Sequence, residues 1–227
     1  STSQGTKLLT ESTSTPATLT QQYLLVPSHM REPYLVYLLH EPPSRALAVA
    51  PRPANTSVYR RSKASEVKET NVPSYPFTII FASRCRSAEL LSRMLTELGV
   101  PNVSLHSMLP QSTRMENLQL FRAKRVPILI STDVGSRGLD VPDVELVVNW
   151  DLPAAWEDYV HRVGRTARKG QRGWAVSCVT EHDVELIQTI EEKINVRMTE
   201  LELPEAQVLE RLSSVMAAKR VASIVRF

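Results

Sequence analysis

The stretch "FTIIFASRCRSAELLSRMLTELGVPNVSLH", residues 77–106, contains a complete strand–helix–strand unit. Each end is a short apolar run, and the segment between them repeats apolar side chains at helical spacing until Gly99. Apolar runs that alternate with amphipathic segments of helical length are typical of parallel strands joined by crossover helices. The unit therefore predicts an α/β domain.

The same alternation continues through residue 194. We predict further strands at 126–132, 144–150 and 174–180, and further helices at 110–124, 154–167 and 182–194. Runs made of Ile, Val and Leu predict strands that are buried on both faces. The expected fold is an open doubly wound, mostly parallel sheet with helices on both faces, and its ligands bind beyond the carboxyl ends of the strands.

Shifts in composition divide the chain. Residues 1–18 are rich in Ser and Thr and predict a flexible leader or an interdomain linker. The domain is expected at 19–195, and prolines predict an insertion within it at 41–76. Residues 196–227 are a predicted C-terminal helical extension, whose apolar positions either pack on the domain, which we favour, or face a partner.

The overall composition limits the function classes. With 42% hydrophobic and 22% charged residues the chain is expected to fold, and its net charge of +3 is too small to hold nucleic acid without a local basic stripe. No apolar run of about 18 residues and no signal-peptide pattern appears, so we expect a soluble intracellular protein away from membranes. Cys85 and Cys178 lack metal-ligand spacing, which predicts free core thiols and no metal site.

Two stretches carry residues suited to phosphate chemistry. The first is "STDVGSRGLD", residues 131–140, which directly follows a predicted strand. Thr132 and nearby backbone N–H groups could bind phosphate oxygens, Arg137 could pair with a phosphate or carboxylate, and Asp140 could accept hydrogen bonds from a ribose. The alternative is a tight turn in which Arg137 and Asp140 form an internal salt bridge.

The second stretch is "HRVGRTARKGQR", residues 161–172. In the helix predicted at 154–167, the apolar side chains share one face. The basic side chains then lie on the remaining surface: His161, Arg162, Arg165 and Arg168. Arg165 and Arg168 are three residues apart, so they could bind one target together. Arginine suits a transferring phosphoryl group because its planar fork stays charged. The alternative is a solvated basic face.

Two motifs needed to bind and hydrolyse a nucleotide are missing from the chain. It contains neither a G-x-x-x-x-G-K-[ST] phosphate loop nor an Asp-Glu-Ala-Asp quartet. We therefore expect this chain to be inactive towards a nucleotide unless a second domain supplies both.

Four blocks in order resemble the second RecA-like domain of DEAD-box RNA helicases: "TIIFASR" (78–84), "SLHSMLPQSTRMENLQLFR" (104–122), "ILISTDVGSRGLDVPDVELVVNWDLP" (128–153) and "HRVGRTARKGQRG" (161–173). The resemblance covers about residues 20–195. It implies a RecA-like fold and an enzyme that uses ATP to separate RNA strands locally, by closing two domains and reopening them after hydrolysis.

The resemblance assigns roles residue by residue. It makes Arg165 and Arg168 the catalytic arginine fingers that bind ATP, with Asp140 and Gly138 as further ATP-binding residues and Mg²⁺ held mainly by the first domain. Residues implied to contact RNA are Thr132, Gly135, Arg114, Ser83 and Arg84. Residues implied to couple the two domains are His161, Gln111, Arg162 and Arg137. Three positions differ from the common family pattern: Ser107, Gly135 and Trp150.

Within the family, residues 104–111 and 144–153, and especially residues 179–200 and 206–220, are similar to nucleolar members that act in small ribosomal subunit biogenesis. This similarity implies a pre-rRNA substrate, a protein activator, and a location in the nucleus and nucleolus. Two alternatives stay open, namely a DEAD-box helicase of another RNA pathway and a non-catalytic RNA-binding or scaffold module. The two finger arginines and Asp140 argue against the non-catalytic module, which needs none of them.

Overall fold

A computed structural model describes residues 15–42, 75–136, 141–168 and 170–224. Most of the predicted leader at 1–18 and of the predicted insertion at 41–76 lies outside these ranges.

Seven strands within the described residues form one sheet in the order β3-β4-β2-β5-β6-β1-β7, and every neighbouring pair is parallel. The strands are β1 (Leu19–Leu25), β2 (Thr78–Phe81), β3 (Asn102–Leu105), β4 (Ile128–Ser131), β5 (Leu146–Asn149), β6 (Gly173–Val179) and β7 (Thr199–Glu200). The predicted doubly wound parallel sheet is confirmed.

Helices cover both faces of the sheet. They are α1 (Arg31–His40, after a 3-10 turn at Ser28–Met30), α2 (Cys85–Glu97), α3 (Gln111–Arg122), α4 (Asp133–Ser136), α5 (Trp156–Val163), α6 (Val184–Ile194), α7 (Glu205–Glu210) and α8 (Leu212–Ile224). Side chains of α1, α2 and α8 belong to the apolar core on one face, and those of α3, α5 and α6 to the core on the other. No helix in the described parts of the chain has the length and apolar character needed to cross a membrane.

The central strands are apolar at successive positions because they have a core on each side. Ile79 packs into one core and Ile80, the next residue, into the other; both are at most 1% exposed. Full burial of such a side chain contributes about 1.5–3 kcal/mol. The uninterrupted apolar run that predicted a doubly covered strand therefore corresponds to two packed faces.

The C-terminal segment packs on the domain. In α7 and α8 the buried side chains are Val208, Val215, Ala218 and Ala222, and these helices contact α1 and α2. Leu209, the residue after Val208, is 43% exposed and does not join them. Strand β7, which extends the sheet beside β1, was not predicted, because a two-residue strand has no periodicity to detect.

One predicted helix is too long. Helix α5 ends at Val163, and the prediction that it continues to residue 167 is wrong. Beyond Gly164 the chain turns, Ala167 has a φ of 58°, and the hydroxyl of Thr166 donates a hydrogen bond to the carbonyl of Val144 at 2.6 Å. This turn brings the segment back against the start of β5.

The cysteine prediction is only half right. Cys178 is buried in β6, whereas Cys85 is partly exposed at the first residue of α2, with its Sγ 3.4 Å from the hydroxyl of Ser107. Both are free thiols. Cys85 is not a core residue because it follows the end of β2 instead of lying within the strand.

Candidate functional site

Three loops meet at one edge of the sheet. Strands β2, β4 and β5 are parallel neighbours, and Phe81 is in register with both Ser131 and Asn149. The loops that follow these strands therefore start at the same level. They carry Ser83, Asp133 and Asp151, as expected for polar groups beyond the carboxyl ends of parallel strands.

Arg162 of α5 joins two of these loops. Its Nε and Nη2 donate hydrogen bonds to the two carboxylate oxygens of Asp133 at 2.7 and 2.6 Å, and its Nη1 donates to the carbonyl of Asp151 at 2.7 Å. A longer bond of 3.3 Å runs from Nη1 to Asn149, and the guanidinium lies over the ring of Phe81. The residue is only 2% exposed, so the prediction that it lies on the helix surface is wrong. Its charge is tolerated inside because a carboxylate and carbonyls satisfy it.

Arg165 and Arg168 lie on the turn after α5, so the argument that they share a helix face is wrong. The turn is attached to the domain through the main chain of Arg165, whose N–H donates to the carbonyl of Arg162 and whose carbonyl accepts from Val144. Arg168 is exposed; its Nη1 lies 3.1 Å from Oδ1 of Asp143, and its Nε donates to the carbonyl of Gly164. Exposed ion pairs contribute little energy, so this contact leaves Arg168 able to exchange partners.

Thr132 and Gly135 are closely packed. The hydroxyl of Thr132 accepts a hydrogen bond from the N–H of Gly135 at 3.1 Å, and Thr132 is 4% exposed. A Cβ on Gly135 would overlap the carbonyl oxygen of Leu105 and lie 2.9 Å from Cα of His106. Glycine at this position therefore allows α4 to pack directly on the backbone after β3.

Arg114 connects α3 to the same segment. Its Nη1 donates to the side-chain oxygen of Gln111 at 2.8 Å, and its Nη2 donates to the carbonyl of Gly135 at 3.2 Å. Gln111 itself is exposed at the first residue of α3. The geometry thus brings Gln111, Arg114 and Gly135 together.

The loop after β2 carries exposed Ser83 and Arg84. The N–H of Ser83 donates to Oδ2 of Asp151 at 2.9 Å, which attaches this loop to the one after β5. His161 is exposed on the last turn of α5. Three of the predicted site residues, Arg137, Gly138 and Asp140, lie outside the described residues.

Asp133 and Asp151 were not among the predicted site residues, although both organise this edge of the sheet. The available signal was their position, since each carboxylate stands two residues beyond the end of a buried strand, in "STD" and in "NWD". Polar residues at that point of a parallel sheet are candidates for a site.

Known proteins resemble this chain in sequence and in fold. The family of helicase conserved C-terminal domains matches residues 64–170. The ATP-dependent RNA helicase DBP8 of Mycosarcoma maydis is 52% identical over 93% of this chain and 44% of its own length, and that of Schizosaccharomyces pombe is 41% identical over 95% and 41%. A crystal structure of a DEAD box protein from Methanococcus jannaschii has a TM-score of 0.62 at 29% identity, covering 82% of this chain and 42% of that one.

This chain belongs to the DEAD-box family. It is the C-terminal RecA-like domain of such a protein, and it spans less than half the length of the curated relatives named above. The candidate site of this DEAD-box domain is the sheet edge formed by the loops after β2, β4 and β5.

The described residues of the DEAD-box domain fit a phosphate ligand. The donors are guanidinium groups on the turn after α5, and the exposed Arg168 is paired with the solvent-exposed carboxylate of Asp143. A guanidinium in this setting can donate bidentate hydrogen bonds to phosphate oxygens. Within the described ranges, no three His, Cys, Asp or Glu side chains lie close enough to hold a metal ion.

Proposed function

We propose that this domain is the second half of the active site of an ATP-dependent RNA helicase. One observation carries the proposal. The N–H of Arg165, on the turn that also carries Arg168, is bonded to the carbonyl of Arg162. The guanidinium of Arg162 is bonded to the carbonyl of Asp151, whose carboxylate accepts the N–H of Ser83. The proposed phosphate-binding arginines and the exposed basic loop are thereby joined through three hydrogen bonds.

Arg165 and Arg168 are the proposed arginine fingers, and Asp140 with Gly138 is the proposed ribose and nucleotide contact. ATP supplies the phosphoryl group whose transfer to water drives the cycle, and Mg²⁺ is held mainly by the first RecA-like domain of the full-length protein. The fingers donate hydrogen bonds to phosphate oxygens as charge spreads over them. Because they lie on this domain, hydrolysis depends on closure of the cleft between the two domains.

The RNA-binding side is proposed to comprise Ser83, Arg84 and Arg114, which contact phosphates and 2′-hydroxyls. Thr132 and Gly135 contribute through the backbone geometry that they set beside Arg114. Contacts of this kind read the shape and charge of an RNA strand and no particular sequence.

Four residues are proposed to couple the two ligands: His161, Gln111, Arg162 and Arg137. Arg162 supports this role best, since it contacts both the segment after β4 and the loop after β5. A shift of the finger turn would therefore be transmitted to both loops.

The proposed pathway is rRNA processing and small ribosomal subunit assembly, in the nucleus and nucleolus. The similarity of residues 179–200 and 206–220 to nucleolar family members supports it. The proposed partners are pre-rRNA, the N-terminal RecA-like domain of the same protein, and a protein activator. Crosslinking of the full-length protein to RNA in cells tests the pathway: enrichment of pre-rRNA supports it, and enrichment of messenger RNA favours a different RNA pathway.

The enzymatic proposal is tested by steady-state ATPase of the full-length protein at saturating RNA. Arg165→Ala and Arg168→Ala are each expected to lower turnover by roughly 10³-fold or more. Asp143→Asn is the matched control, since it breaks the ion pair of Arg168 and keeps the guanidinium. It should leave turnover within about threefold, because an exposed pair contributes little.

Two results would contradict the proposal. Near-normal turnover in either arginine variant would reject its finger role. RNA binding by the full-length protein without any RNA-stimulated ATPase would favour the scaffold module instead.

A further inference from the structure

Arg31 is a charged residue outside every block that carries the family resemblance. It is the first residue of α1, upstream of the residues that match the helicase family. Its Nη2 donates to Oδ1 of Asp151 at 3.0 Å, across 120 positions of sequence. Its guanidinium also stacks on the ring of Trp150, 4.0 Å from the centroid.

Asp151 is a junction of three groups. Oδ1 accepts from Arg31, Oδ2 accepts from the main-chain N–H of Ser83 at 2.9 Å, and the backbone carbonyl accepts from Arg162. One oxygen of the carboxylate therefore binds α1, and the other binds the loop after β2. Since the side chain of Asp151 has two torsions to fix, the bond to Arg31 determines where the second oxygen points.

We propose that Arg31 is a positioning residue for RNA binding. Acting through Asp151, it holds the N–H of Ser83, and with it the exposed loop of Ser83 and Arg84, in the conformation that accepts an RNA backbone. This inference rests on the proposed function, because it takes that loop as the RNA contact.

The geometry of Arg31 favours a rigid support. Its side chain is only 17% exposed, and that of Asp151 is 25% exposed. The flat guanidinium is fixed by the indole of Trp150 on one face and by the carboxylate at its edge, which a flexible ammonium group would reproduce less well. Without Arg31 the carboxylate loses its counter-charge, is free to rotate towards water, and releases the N–H of Ser83.

Arg211 offers a matched control. Like Arg31 it combines an ion pair with a position over an aromatic ring: its Nη2 lies 2.7 Å from Glu41, and its guanidinium lies 5.8 Å from the ring of Tyr37. It lies between α7 and α8 and is bonded to Glu41, not to Asp151. Loss of Arg211 therefore tests the removal of a similar pair without the proposed effect on the loop.

The experiment measures the Kd of the full-length protein for a fluorescent single-stranded oligouridine, and the KM for ATP from steady-state ATPase. Arg31→Met should raise the RNA Kd by about fivefold to tenfold, while the KM for ATP and the turnover at saturating RNA stay within about twofold. Arg31→Lys should give an intermediate Kd, about threefold above wild type, because it keeps the charge but not the planar fork. Arg211→Met should leave the RNA Kd within about twofold.

A double variant tests the route through Asp151. In an Asp151→Asn background, Arg31→Met should raise the RNA Kd by less than about twofold, since a residue that acts through another has no independent effect. A full additional loss in that background would overturn the proposal.

The remaining outcomes are also decisive. If wild type binds no RNA, the proposed function itself fails. If wild type binds RNA and Arg31→Met behaves like Arg211→Met, the inference alone is overturned. If Arg31→Met does not fold, Arg31→Lys decides: an unchanged RNA Kd overturns the inference, and the expected threefold increase supports it.

Discussion

Both carboxylate oxygens of Asp133 accept hydrogen bonds from the guanidinium of Arg162, at 2.7 Å from Nε and 2.6 Å from Nη2. The pair links the first residue of α4 to α5, and Arg162 is almost completely buried. A guanidinium in that position depends on its partners, because removal of one leaves an uncompensated charge inside the domain.

Asp133→Asn should lower the free energy of unfolding by about 2–4 kcal/mol, because the buried charge of Arg162 loses its counter-charge. Urea unfolding measures the change. Asp143→Asn is the matched control: it removes the carboxylate that pairs with Arg168 at the surface, and it should cost less than about 1 kcal/mol. If the two variants lose the same free energy of unfolding, burial does not make the Asp133–Arg162 pair more important than the exposed pair.

Gly135→Ala should destabilise the domain by about 1–3 kcal/mol, because the added methyl group overlaps the backbone of Leu105 and α4 must move. The same movement displaces the carbonyl that Arg114 binds, so RNA affinity of the full-length protein should fall as well. Thermal unfolding and RNA titration measure the two effects. Val134→Ala, at a neighbouring position that is 62% exposed, should change neither; a stable Gly135→Ala variant would show that the segment can relax.

Glu89 should make the stability of the domain depend on pH under acidic conditions. Burial raises the pKa of this carboxyl, but hydrogen bonds from His106 and Arg93 outweigh it, and the pKa is lowered below its usual value of 4.5. Its contribution is therefore fully present above about pH 4.5 and is lost as the pH falls through the folded-state pKa. Glu89→Gln should flatten the fall in unfolding free energy that occurs as the pH drops below about 4.5, measured by urea unfolding.

The control for Glu89 is Glu97→Gln, an exposed change at the last residue of the same helix α2. It should retain the acid dependence of the wild type. A wild-type slope in Glu89→Gln would assign the acid dependence to other carboxylates.

The two thiols should differ in reactivity. Burial raises the pKa of Cys178 to about 12, so little thiolate exists at pH 8, whereas Cys85 is partly exposed at the start of α2. Iodoacetamide followed by peptide mass mapping should label Cys85 in the folded protein and Cys178 only after unfolding in urea. Equal labelling of both in the folded state would mean that β6 opens readily.

The fold class and most elements could be predicted from the sequence because they depend on local patterns. An uninterrupted apolar run such as that of β2 indicates a strand that is buried on both faces. The helical spacing of apolar residues before Gly99 indicates that α2 packs on one face only. The end of α5 was misjudged because Gly164 was included in the helix, although glycine often ends one. The bond from Thr166 to Val144 that turns the chain is a tertiary contact, which the sequence does not show.

By itself, the amino-acid sequence determined which chemical groups are present and which strand ends they follow. The period of the apolar residues and the spacing of the polar ones are properties of the chain alone. Only the tertiary structure decided their partners. Whether Arg162 lies in solvent or against Asp133, and whether Arg31 can bind Asp151, depends on the order in which parallel strands assemble. The contacts that organise this site join residues that are far apart in the sequence, and only their packing brings the charges close enough to interact.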